Sequence, residues 1–147
     1  MKKYLGIDIG GTAIKYALLN EVGEIIEKGE TPTPKDSLDS MMNSLDSFIS
    51  QYKEEISGIG ISAPGRIDNK RGYFYTGGAL SHYLSEVPLG DMLSEKYNLP
   101  VAIDNDAKCA ANAELWLGAL KDVNSGVVVI LGTGIGGGIV LDKKVWR

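Results

Sequence analysis

Three short stretches of this 147-residue chain carry residue types suited to chemistry on phosphates. The first is Asp8-Ile9-Gly10-Gly11-Thr12, with Lys15 three residues further on. Glycines let backbone N–H groups approach an anion closely, Thr12 offers a hydroxyl, and Asp8 can hold Mg2+ directly or through water. A plain glycine hairpin with a surface Asp fits the same residues equally well, and Lys15 points either at phosphate or at water. The second stretch is Gly132-Thr133-Gly134-Ile135-Gly136-Gly137-Gly138. Gly132, Gly134 and Gly137 satisfy G-x-G-x-x-G, but a strand-like Ile139-Val140-Leu141-Asp142 follows where dinucleotide binding needs a helix. No Gly-Lys-Ser/Thr follows either cluster, so a P-loop is excluded. Two strand–glycine–strand hairpins in one chain read as a clamp on the β- and γ-phosphates of a nucleotide.

The third stretch is Asn105-Asp106-Ala107, where a short strand gives way to an alanine-rich helix. An Asp in the first turn stays ionised beside the positive end of the helix dipole. It can take the proton of an attacking hydroxyl while Asn105 bonds a neighbouring one. Asp104, Asn105 and Asp106 are also good helix-capping residues, which is the plainer use of such a cluster.

The elements that must position these residues follow from pattern. Runs at 3–9, 13–19 and 24–31, broken by Gly10-Gly11 and Glu21-Val22-Gly23 and stopped by Pro32 and Pro34, predict an antiparallel meander. Leu38, Met41, Met42, Leu45, Phe48, Ile49 and Tyr52 recur at three and four, which predicts a helix from Ser37 with one buried face. A buried strand over 56–63, a small hairpin over 66–76, a helix over 88–97 and a strand over 101–104 follow. A helix over 105–120, a buried strand over 127–131, a glycine turn over 132–138 and a last strand over 139–145 complete the pattern. Strands alternating with helices after a meander indicate an α/β fold with a mixed sheet, with a seam expected at 121–125. Ala107, Ala110, Ala111 and Ala113 imply close packing of the third helix on the sheet. Trp116 is expected in the core, Cys109 as a buried inert thiol, and His82 in a loop or rim position.

Nineteen acids against fifteen bases give a net charge of −4, with 44% hydrophobic and 23% charged residues. That balance, without a Lys/Arg stripe, argues against a nucleic-acid partner. The glycine-rich uncharged stretch 126–141 has sixteen residues, six of them glycine, short of the ~20 apolar residues of a spanning helix, so no membrane partner is expected. Asp8 sits where a signal peptide needs its apolar region, and the single Cys109 cannot form an internal disulfide. A cytoplasmic location is the expectation.

Taken in order, these stretches resemble the N-terminal part of the sugar kinases of the ROK family (repressors, open reading frames, kinases), within the actin-like and hexokinase-like ATPase superfamily. The likeness rests on Asp8 to Lys15, Ala63-Pro64-Gly65 with Ile67-Asp68, and Pro100 to Ala107. Ala110-Ala111 with Glu114 and Leu131 to Gly138 extend it. The resemblance implies an actin-like, ribonuclease-H-like lobe over 1–122 and the first hairpin of a second lobe over 123–147. It implies ATP-dependent phosphorylation of a hexose or hexose derivative, glucose or a relative, with Asp106 as the base on the sugar hydroxyl. Asn105, the Pro64-Gly65 turn and Gly78 would touch the sugar. Gly10, Gly11, Thr12, Lys15, Gly132, Thr133, Gly134, Gly136 and Gly137 would hold ATP, and Asp8 would serve Mg2+.

The same resemblance marks departures. Family members are longer, and the Glu-x-Gly-His sugar motif, cysteine-rich zinc site and adenine pocket of their second lobe are absent from these 147 residues. The chain alone is therefore expected to be inactive or nearly so, and its exposed strand edges to favour self-association or a homodimer. Gly78-Ala79-Leu80-Ser81-His82-Tyr83 stands where the family carries an Asn-Leu and a Trp, which bears on sugar preference. Two other readings use the same residues: a non-catalytic sugar- or nucleotide-binding module, and an ATPase with water as nucleophile. The family's repressors carry a helix-turn-helix ahead of the first glycine hairpin; with that hairpin beginning within ten residues of Met1, none is expected.

Overall fold

The computed structural model describes residues 1–132 and 134–147, and two compact units, Met1–Asp104 and Asn105–Arg147, make up the chain. The seam expected at 121–125 falls inside the second of these units.

In the first unit, β1 (Lys3–Ile9), β2 (Ala13–Asn20) and β3 (Ile25–Pro32) form the expected antiparallel meander. Side chains alternate, so Leu5, Ile7 and Ile9 of β1 and Ile14 and Leu18 of β2 are buried on one face. Asp8 and Lys15 are exposed on the other. Helix α1 (Leu38–Tyr52) closes the buried face with Met41, Leu45, Phe48, Ile49 and Tyr52. Its N-cap is Ser37, whose Oγ accepts the Ser40 N–H at 3.2 Å. Phe48 stacks on Tyr16 with ring centroids 4.1 Å apart. Each such side chain contributes roughly 1.5–3 kcal/mol on burial, enough to fix the helix on the sheet.

Strand β4 (Ile59–Ala63) runs parallel to β1, from Leu5 opposite Ile59 to Asp8 opposite Ser62. It is shorter than the expected 56–63, and Ile56 is buried ahead of it. The expected hairpin is β5 (Ile67–Asp68) with β6 (Tyr73–Phe74), followed by a 3₁₀ turn at Gly78–Leu80. Helix α2 (Leu89–Tyr97) and β7 (Val101–Asn105) come next, and the sheet order is β3-β2-β1-β4-β7. Because β1 and β4 are parallel, the Gly10–Thr12 turn and the Pro64–Gly65 corner leave the sheet at the same edge. Ligand sites of α/β sheets gather at such an edge.

The second unit holds α3 (Asp106–Leu117) and an antiparallel sheet of β8 (Gly126–Leu131), β9 (Ile135–Leu141) and β10 (Lys144–Val145). Several expectations are corrected here. The glycine run is not a turn through 138: Gly136, Gly137 and Gly138 lie inside β9, paired with Ile130, Val129 and Val128. The reason is the helix, since a Cβ at Gly136 would stand 3.2 Å from that of Ala107, and one at Gly138 only 2.7 Å from that of Ala111. β8 is not buried on both faces, because Val127, Val129 and Leu131 are 65%, 61% and 79% exposed on the face away from α3. Trp116 is 52% exposed rather than core, and α3 stops at Leu117 because Gly118 takes an extended backbone. Of the alanines, Ala107 and Ala111 are buried as expected, whereas Ala113 is exposed and Cys109 half-buried. Asp142 and Lys143, both with positive φ, make the two-residue turn into β10.

Candidate active site

The first glycine stretch forms a turn between β1 and β2 of the first unit. Gly10 N–H donates to the Ala13 carbonyl at 3.0 Å and closes it. A Cβ at Gly10 would meet the Ala13 oxygen at 2.8 Å, so the turn requires glycine there. A Cβ at Gly11 would meet nothing within 4 Å, which leaves room for a ligand against its backbone. Asp8 stands exposed before the turn with Lys15 as its cross-strand partner, and Lys15 faces Glu30 on its other side. No group of three or more His, Cys, Asp or Glu among the described residues could hold a metal ion. A lone carboxylate fits Mg2+ that keeps its waters and arrives on phosphates, not a resident ion in a protein cage.

Pro64, Gly65 and Gly78 are brought together in the same unit. Gly65 has φ +101°, and a Cβ on it would stand 2.2 Å from the Thr76 carbonyl oxygen and 2.8 Å from the Gly78 nitrogen. Gly78, with φ +60°, lies in turn against Pro64. Two backbone segments thus meet with no space for side chains between them. Tyr73 and Tyr75 of the adjoining hairpin carry Arg71 and Arg66 over their rings at 4.5 and 4.8 Å.

Sequence spacing missed the segment between β3 and α1. Thr33, only 4% exposed, donates its hydroxyl to the Gly10 carbonyl at 2.7 Å and its N–H to the Thr12 carbonyl at 2.9 Å. Lys35 donates to the Gly11 carbonyl. The one hint is Pro32-Thr33-Pro34, a stiff pair of prolines around a hydrogen-bonding residue, which reads from sequence only as the end of a strand. His82 is exposed in the loop after Gly78, as expected, but its Nε2 bonds the Lys35 carbonyl at 2.5 Å.

In the second unit Asn105 is the N-cap of α3, its Oδ1 accepting the Ala107 N–H at 3.0 Å. Asp106 opens the helix, exposed, and its Oδ1 accepts the same N–H at 2.8 Å. The plain capping use of this cluster is therefore present, and it holds the Asp106 carboxylate at the helix N-terminus. The second glycine cluster divides by role. Gly132 and Gly134 have nothing within 4 Å of a built Cβ, whereas Gly136 is occupied in packing on Ala107 and Gly137 touches only the Val128 carbonyl. Thr133 lies outside the described residues. Asp8, Gly10, Gly11, Thr12, Lys15, Pro64, Gly65 and Gly78 belong to the first unit, and Asn105, Asp106 and the second glycine cluster to the other.

A family model, that of the ROK family, matches residues 4–147. The chain belongs to the ROK family. A glucokinase of Halalkalibacterium halodurans is 39% identical over 150 residues, covering 97% of this chain and 45% of that protein. A beta-glucoside kinase of Listeria monocytogenes is 37% identical, covering 99% of this chain and 49% of that protein. The crystal structure of a ROK glucokinase from Streptomyces griseus, solved with glucose and AMPPNP, superposes with a TM-score of 0.89 at 30% identity, over 99% of this chain and 46% of that one. The chain thus spans about half the length of the relatives it matches. Its mixed-sheet α/β fold is that of the N-terminal part of ROK sugar kinases, of the actin-like ATPase type. No helix among the described residues is long and apolar enough to cross a membrane.

Proposed function

We propose that this chain is the N-terminal lobe, residues 1–122, and the first hairpin, 123–147, of a cytoplasmic sugar kinase that moves the γ-phosphoryl group of ATP to a hexose hydroxyl. The observation that carries the reading is the shared sheet edge: a glycine turn with open space over Gly11 follows β1, and the close-packed Pro64–Gly65–Gly78 corner follows the parallel β4. Donor and acceptor loops are what a phosphoryl transferase needs there, and the relatives named as sugar kinases support it.

In this reading the backbone of Gly10, Gly11 and Thr12, with Lys15, holds donor phosphate from one hairpin, and Gly132, Thr133, Gly134, Gly136 and Gly137 from the other. Pro64, Gly65, Gly78 and Asn105 orient the sugar. The hydroxyl oxygen bonds to the γ-phosphorus as the bond to the bridging oxygen of ADP breaks, and the hydroxyl proton passes to the Asp106 carboxylate. Mg2+, when bound beside Asp8, neutralises charge on the phosphates. Most of the acceleration comes from orientation and backbone charge, with about 10²–10⁴-fold from the base.

The test is coupled ADP release on a panel of hexoses, hexosamines and β-glucosides, with this chain and with the full-length parent, each also as Asp106→Asn. A parent that turns over a sugar and loses that turnover with Asp106→Asn upholds the kinase and its base, with the 147-residue chain near background. Sugar or ATP binding without sugar-dependent turnover makes the chain part of a regulatory binding module. ADP release that ignores sugar identifies an ATPase.

A further inference from the structure

The donor turn has a cation that sequence spacing hides. Lys35 lies 24 residues from Gly11, in the segment that joins β3 to α1, and its ammonium donates to the Gly11 carbonyl at the tip of the turn. Thr33 fastens the same segment to Gly10 and Thr12. On the opposite side the segment is fastened to the loop that follows Gly78. There His82 Nε2 meets the Lys35 carbonyl at 2.5 Å, and the Tyr83 hydroxyl donates to the Pro34 carbonyl at 2.7 Å. A carbonyl only accepts, so Nε2 carries a proton in this contact. His82 and Tyr83 brace each other edge to face at 4.9 Å.

Charge distinguishes Lys35 from the lysine that the sequence singles out. Lys15 has Asp8 opposite it on one neighbouring strand and Glu30 on the other, so carboxylates flank its charge on both sides. Among the described residues Lys35 forms no ion pair, and it is exposed. Its ammonium has three donors, of which the Gly11 carbonyl takes one. An unneutralised ammonium at a glycine turn with open space over Gly11 raises the potential where an anion would enter.

We propose that Lys35 is a phosphate-contacting residue of the donor turn, and that His82 and Tyr83 are positioning residues that hold it there from the acceptor loop. The proposal rests on the reading of Gly10–Thr12 as the donor-phosphate turn. It ties the two loops together through one short segment: order in the 78–83 loop fixes the backbone from which Lys35 reaches the phosphate.

The experiment is a ¹⁵N NMR titration of the 147-residue chain with tripolyphosphate and with MgATP, read at the amides of Gly10, Gly11 and Thr12. Lys35→Ala and the neutral Lys35→Gln should weaken the response about tenfold, the scale of a lost charge-assisted hydrogen bond. Lys35→Arg should restore it to within about threefold, and Lys53→Ala, at the far end of α1, should leave it unchanged. His82→Ala combined with Tyr83→Phe should weaken it about threefold with Lys35 intact, a network effect. Dispersed spectra report that each variant is folded. If the amides of the unmodified chain respond to neither probe, the donor-turn reading fails and the proposal goes with it. If they respond and Lys35→Ala and Lys35→Gln bind as tightly as the parent, the donor turn stands and the role of Lys35 is overturned. If only the His82/Tyr83 pair is without effect, the anchoring from the acceptor loop is refuted.

Discussion

The two glycine hairpins look alike in sequence and are unlike in structure. The Gly10–Thr12 turn is short, closed by its own Gly10–Ala13 bond, and tied to Thr33 and Lys35 of the segment after β3. The 132–138 run gives only Gly132 and Gly134 open space, while Gly136 and Gly138 are the flat floor on which α3 lies. The same residue type thus leaves two different things beside it: open space over the backbone at Gly11, and a helix against a strand at Gly136 and Gly138. A missing Cβ does not say which until its neighbours are known.

Gly138→Val should separate the two cases most strongly. The new side chain has its Cβ 2.7 Å from Ala111 and 2.9 Å from the Ala107 carbonyl, so about 2–4 kcal/mol of stability is lost, read as a lower denaturant midpoint. Gly11→Ala should do the reverse. Its Cβ meets nothing, so stability changes by less than about 1 kcal/mol, while the response of the turn amides to MgATP falls about tenfold. Equal effects of the two substitutions on stability would dissolve the distinction.

A weaker effect concerns the outer face of the second hairpin. Val127, Val129, Leu131 and Ile135 form an apolar strip that α3 does not cover, so the chain should self-associate at high concentration and Val129→Lys should shift its elution toward the monomer. A clean monomer for the unmodified chain in size-exclusion chromatography would count against this. The smallest effect belongs to the face behind the first hairpin. Burial, and then hydrogen bonding to Glu27, push the Tyr52 hydroxyl up to about 12, above its unfolded value near 10. The folded state holds this proton more tightly, so the contribution is complete below pH 10 and fades between pH 10 and about 12. Tyr52→Phe should flatten that part of the alkaline stability curve in circular dichroism.

Much of the first unit was legible because each element follows from a local rule. Short apolar runs broken at Gly10-Gly11 mark β1 and β2, and a three-four repeat with Ser37 at its head marks α1. The approach of Gly78 to the Pro64–Gly65 corner was not legible, since the contact spans chain that has no periodicity of its own. Gly136 to Gly138 was misread as a turn because glycine propensity argues against strand, and the opposing argument, the Ala107–Ala111 face of α3, lies some thirty residues earlier. An apolar run such as Val127–Leu131 states that a face seeks cover without stating that cover is present. Thr33 and Lys35 were invisible because their partners are carbonyls, and a carbonyl leaves no mark in a sequence.

The parallel pairing of β1 with β4 has a consequence in time. The hairpin that carries Gly10–Thr12 needs only neighbouring chain to form, whereas Leu5 can meet Ile59 only after the intervening strands and α1 have been threaded back across the sheet. The Gly10–Thr12 turn is therefore assembled from local contacts and the pairing that leads into the Pro64–Gly65 corner from remote ones. In pulse-labelled hydrogen exchange the amides of β1 and β2 gain protection before those of β4, and the His82 bond to Lys35 is among the last to join an early loop to a late one.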